Sequence, residues 1–159
     1  MARIEEDRED LYAELVTANP RWELELEGSP TPLITGIRPN GVWSVYFHPD
    51  RCYHFDANGG LRRAYVEGAL YRSEGNTLAR LIRQRSDEET TLLRYDLSPA
   101  ELDDFLAVMH RHLTGFLKTL RAGTFRILRP EQDVADPALL IACGEQVLSG
   151  TNLLSPPLK

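Results

Sequence analysis

The sequence predicts an α+β domain. It has an N-terminal helix, an antiparallel β-meander of about six to eight strands, a long amphipathic helix in the C-terminal half on which the meander packs, and a short strand and helix appendix. Three observations predict it. Strand-like segments follow one another between residues 22 and 97, separated by short turns rich in Gly, Pro, Asn and Asp. Short turns favour antiparallel pairing, because parallel strands need a long crossover. A single one-sided helical pattern then runs over 99–121. Length and composition agree, since 159 residues at 42% hydrophobic and 26% charged suit one ordinary globular domain.

The first element is a helix over about 4–18, where Ile4, Leu11 and Leu15 fall at helical spacing among acids. Asn19-Pro20 ends it, because the residue before proline is driven out of the α region. Trp22 to Glu27 alternates large apolar residues with glutamate, the period of a half-buried strand. Leu33–Arg38, Val42–His48 and Cys52–Phe55 continue the meander across turns at Pro39-Asn40-Gly41 and Pro49-Asp50. Asp56-Ala57-Asn58-Gly59-Gly60 is a strong turn signal. Leu61–Val66 and Ala69–Arg72 are shorter strands, and Leu78–Arg85 and Thr90–Leu97 longer ones. The apolar residues of Leu78–Arg85 do not alternate cleanly, so a short helix is an open alternative there.

The helix over 99–121 carries the clearest local signals. Ser98 and Glu101 form an S-x-x-E capping box around Pro99. Leu102, Phe105, Leu106, Met109, Leu113, Phe116, Leu117 and Leu120 make one apolar stripe, and Gly123 is a natural terminator. A strand over Thr124–Leu128 and a helix over Pro137–Leu148 complete the appendix. Residues 1–150 are read as one domain, and 151–159 as an extended proline- and leucine-bearing tail. A meander closed by an amphipathic helix resembles in architecture the pleckstrin-homology-like barrels and helix-grip folds, an analogy that carries no function.

The net charge of −6 is concentrated in residues 1–30, which hold nine acids and three bases. The rest is neutral, and its bases are almost all arginine. The acidic opening has no apolar core of a secretory signal, and no apolar run reaches the length of a membrane span. Cys52 and Cys143 are therefore expected as reduced thiols in a cytoplasmic protein that does not contact membrane.

Three candidate sites follow. His48, Asp50, Cys52, His54 and Asp56 gather imidazole, thiolate and carboxylate, donors that suit a transition metal such as zinc. Their spacing matches no familiar zinc pattern, and a cysteine packed behind a polar turn is the simpler explanation. Arg62, Arg63, Arg80, Arg83 and Arg85, with Tyr65 and Tyr71 nearby, offer a basic face for nucleic acid or phosphate. The acidic total charge disfavours nucleic acid. Leu153, Leu154 and Leu158 need a surface to cover, on this chain or on a partner. His110 and His112, two apart on a helix, point to different faces. Phosphate-loop, dinucleotide, G-x-S-x-G and HExxH patterns are absent.

The favoured reading is a non-catalytic binding or accessory module with a protein partner, a small ligand or a second copy of itself. A metal-binding protein or metal-dependent enzyme centred on the 48–56 cluster, and a nucleic-acid-associated component, are the alternatives.

Overall fold

Hairpin after hairpin, the strands pair in the order in which the chain makes them. The computed structural model describes residues 21–26, 33–37, 42–47, 51–74, 77–85, 90–127 and 138–149. The helix expected over 4–18 and the tail over 151–159 lie outside these residues. Strands β1 (Arg21–Leu26), β2 (Leu33–Ile37), β3 (Trp43–Phe47), β4 (Arg51–Phe55), β5 (Leu61–Val66), β6 (Ala69–Glu74), β7 (Thr77–Arg85) and β8 (Thr90–Asp96) form an antiparallel meander. Helix α1 (Pro99–Ala122) follows, then β9 (Phe125–Ile127) and helix α2 (Ala138–Ser149).

β9 pairs with β1, so the sheet order is β8-β7-β6-β5-β4-β3-β2-β1-β9. The chain thus leaves one edge of the sheet and returns at the other. The 24 residues of α1 span about 36 Å at the usual helical rise. Eight strand spacings span about 38 Å. One helix is therefore long enough to carry the chain back across the sheet.

The capping box forms as its sequence requires. The Glu101 N–H donates to Ser98 Oγ at 3.2 Å, and the Ser98 N–H donates to Glu101 Oε1 at 3.0 Å. At the other end Gly123 takes a left-handed φ of 71°, and its N–H bonds back to Leu120 O. Leu106, Met109, Leu113, Phe116, Leu117 and Leu120 are buried, while Leu102 and Phe105 pack at the margin.

α1 and α2 lie on one face of the sheet. Register places Leu24, Leu33, Val45, Tyr53, Phe55, Leu61, Ala64 and Leu78 on that helix face, and all are buried. α2 comes so close to α1 that a Cβ on Gly144 would stand 2.6 Å from Leu117 Cδ2. The turn after β4 docks on α2 as well. Asp56 Oδ1 accepts from the N–H groups of Asn58 (2.8 Å) and Gly60 (2.9 Å), and Gly59, at φ +85°, sits against Gln146.

β7 resolves the ambiguity in the Leu78–Arg85 pattern in favour of a strand. Leu78 is buried on the helix face, whereas Ala79 and Leu81 are buried on the other. A strand covered on both faces has no polar side to alternate with, so its sequence loses the period of two.

Candidate functional site

The second face of the sheet holds two of the residues from which a metal site was expected. Cys52 and His54 do share this face, as their spacing requires. Their neighbours are not ligands. His54 stands between Ser44 on β3 and Arg63 on β5, and Cys52 between Tyr46 and Tyr65. Ser44 Oγ and His54 Nδ1 are hydrogen-bonded at 3.0 Å, with both residues 1% exposed. The Asp56 carboxylate lies past the end of the strand, where it accepts from turn amides. His48 and Asp50 lie outside the described residues.

Among the described residues no group of three or more His, Cys, Asp or Glu side chains could hold a metal ion. The expectation of zinc or another transition metal at this cluster is corrected accordingly. Its physical cause is plain. Alternate residues on one strand point in parallel, and the adjoining strands supply a cation and phenols instead of further ligands. The Ser44–His54 pair has the chemistry of a nucleophile and base. Both residues are 1% exposed, and the register neighbour of His54 on β5 is Arg63.

The basic face also divides. Arg63 lies on the second face beside Arg72, with which it is paired in register. Arg62 is the extra residue of a bulge in β5, where His54 pairs with Arg63 and Phe55 with Leu61. Arg80 stands on the helix face, opposite Tyr71 and Tyr95. Arg83 and Arg85 occupy positions paired with Leu92 and Thr90. Arg63 and Arg80 thus lie on opposite faces of the sheet. Leu153, Leu154 and Leu158 lie outside the described residues.

A different group comes together on the helix face, along the margin of α1. One row of neighbours runs Val45, Tyr53, Ala64, Tyr71, Arg80 and Tyr95 across β3 to β8. The small Ala64 separates the two inner tyrosines. Phe105 of α1 packs over both, with its ring 4.6 Å from Tyr71 and 6.3 Å from Tyr53. Phe47 continues the cluster, 6.2 Å from Tyr53 and 5.5 Å from the His112 ring.

Charge is set into this aromatic rim. Arg51 Nη1 donates to the Tyr53 hydroxyl at 3.3 Å, and Nη2 pairs with Glu67 Oε1 at 3.3 Å. Arg80 Cζ lies 6.0 Å from the centre of the Tyr71 ring, a cation–π arrangement. Arg80 Nε is shielded from solvent and has no hydrogen-bond partner among the described residues. A buried donor left so costs about 1–3 kcal/mol.

Burial raises the pKa of both tyrosines, against the pull of Arg51 at Tyr53 and of Arg80 at Tyr71. Both hydroxyls therefore stay protonated at neutral pH and can donate. Burial lowers the pKa of His112, and the positive charges of Arg51 and Arg111 lower it further. The rim is thus an aromatic surface set with the guanidinium groups of Arg51 and Arg80 and the Tyr71 hydroxyl, and it runs out to Tyr95, which is 51% exposed at the β8 edge.

Sequence reasoning picked out Arg80 and Tyr71, but missed Arg51, Tyr53, Phe105 and His112 as members of one surface. The usable signal was the strand parity that puts Tyr53, Tyr71 and Arg80 on the face of Phe55 and Leu78. The chain matches no family model, no curated protein and no solved structure. No described helix is long and apolar enough to cross a membrane.

Proposed function

We propose that this chain is a non-catalytic binding module whose contact surface is the rim formed by Arg51, Tyr71, Arg80, Phe105 and His112, with the buried Tyr53 beneath it. One observation carries the reading. At the margin of an otherwise apolar core, the sheet places Arg80 between Tyr71 and the exposed Tyr95. Aromatic and arginine side chains grouped in this way recur at binding surfaces, where they offer large contact area with directed polar groups. The free thiols Cys52 and Cys143 support a reducing, cytoplasmic setting.

The test is an amide-detected NMR titration of the full chain with a set of small aromatic acids, amides and amines. The expected result is a set of displaced signals confined to Arg51, Tyr53, Tyr71, Arg80, Tyr95, Phe105 and His112. Displacement confined to other parts of the molecule, or no displacement by any member of the set, overturns the reading.

A further inference from the structure

Resting on that binding reading, we infer that the group received by the rim is an oxyanion, a carboxylate or a phosphate, and that Arg80 is its principal ligand with the Tyr71 hydroxyl beside it. The arginines of this structure are not alike. Arg51, Arg94, Arg121 and Arg126 each have a carboxylate partner, Glu67, Asp96, Glu145 and Glu25 respectively. Arg80 has none among the described residues, although it is only partly exposed.

Glu101 is the nearby carboxylate whose field Arg80 shares, but Glu101 accepts from the Ser98 backbone to close the helix cap. Among the described residues Arg80 therefore has no direct carboxylate contact, only the longer-range field of Glu101, and its inward N–H is unbonded. A planar guanidinium held against one ring and flanked in register by a second is a preorganised fork for two oxygens.

The surroundings favour the same sign of ligand. Arg51 and Arg111 both act on His112, Arg51 sharing its charge with Glu67. The Tyr71 hydroxyl lies in the field of Arg80 and stays protonated, which makes it a neutral donor suited to a second oxygen. A cationic ligand would be repelled by the Arg80 guanidinium, and a neutral one would leave it without a direct charge partner.

Three probes decide the matter on the full chain: benzoate, its neutral isostere benzamide, and inorganic phosphate. The readouts are the Arg80 Nε–Hε signal and the pH titration of the His112 ring. Benzoate or phosphate is expected to shift the Arg80 signal and to raise the His112 pKa. Arg80→Gln is expected to weaken that binding by about tenfold or more, the scale of a lost charge-assisted fork. Arg80→Lys should retain part of it, and an unchanged thermal midpoint shows that the Gln variant is folded. The stronger of the two anions identifies the source chemistry.

Equal binding of benzamide and benzoate at the rim overturns the oxyanion inference while leaving the binding surface intact. Anion binding that survives Arg80→Gln overturns the assignment to Arg80. Silence of the Arg80 and His112 signals towards both anions overturns the inference, and the broader screen then decides the binding reading by itself.

Discussion

On the helix face, Trp43 and Phe55 stack with ring centres 5.2 Å apart, and Phe55 stacks in turn on Tyr53 at 6.3 Å. One residue along the same two strands, on the second face, Ser44 and His54 share a hydrogen bond. Both sets are fully buried. Burial therefore does not by itself reveal what holds a region together. The helix face coheres chiefly through ring area and dispersion, which tolerate some sliding but not loss of volume, with the Trp43 Nε1–H donating to the buried Thr35 Oγ1 at 2.7 Å to fix one end of the stack. The second face mixes a directed polar pair with a small apolar cluster of Leu70, Leu81 and Tyr65. There, the cost of a change lies in the partner left unsatisfied.

The largest effect that would break this comparison is expected on the helix face. Phe55→Ala should cost about 3–5 kcal/mol, because it removes a ring from the middle of a stack that cannot collapse around the gap. Chemical denaturation with one spectroscopic probe checks it. A cost below about 1 kcal/mol would mean that the stack is not cohesive and that the two faces differ less than their geometry indicates.

Ser44→Ala is expected to cost less, about 1–3 kcal/mol, because it takes a buried partner from His54 Nδ1 and loses almost no volume. Combining it with His54→Ala sharpens the comparison. If the pair acts as one unit, the double variant should cost less than the sum of the singles. Strict additivity in denaturation midpoints would show that the hydrogen bond contributes nothing and that volume alone governs this face too.

The contrast also explains what could be read from the sequence. α1 was legible because its signals are local: the cap at Ser98 and Glu101, the stripe from Leu102 to Leu120, and Gly123 all lie within one helix. The antiparallel meander was legible from its turns. The strand β7 was ambiguous because Leu78 and Leu81 are buried on opposite faces. The rim was largely hidden. Arg51 and Tyr53 come from β4, Tyr71 from β6, Arg80 from β7, and Phe105 and His112 from α1. Only register and helix placement bring them together. The expected metal cluster failed for the converse reason. Closeness in sequence put Cys52, His54 and Asp56 side by side on paper, while strand geometry and a turn set their side chains to different tasks.

The smallest predicted effect concerns the helix that makes the two faces different. Ser98→Ala removes the hydroxyl that accepts the Glu101 N–H and should cost about 1 kcal/mol. A pH dependence accompanies it. The Glu101 carboxyl is held below its ordinary value, first by the Ser98 backbone N–H and then by the Ser98 side chain. A carboxylate with a depressed folded-state pKa stabilises fully above its unfolded-state pKa, and that contribution fades as pH falls through the folded value. Wild type should therefore exceed Glu101→Gln in stability at neutral pH, and the gap should close in acid. Denaturation midpoints of the two proteins across the acidic range measure it. A gap that is constant with pH would show that the cap acts through its hydrogen-bond geometry alone, with no share from the charge at the N-terminus of α1.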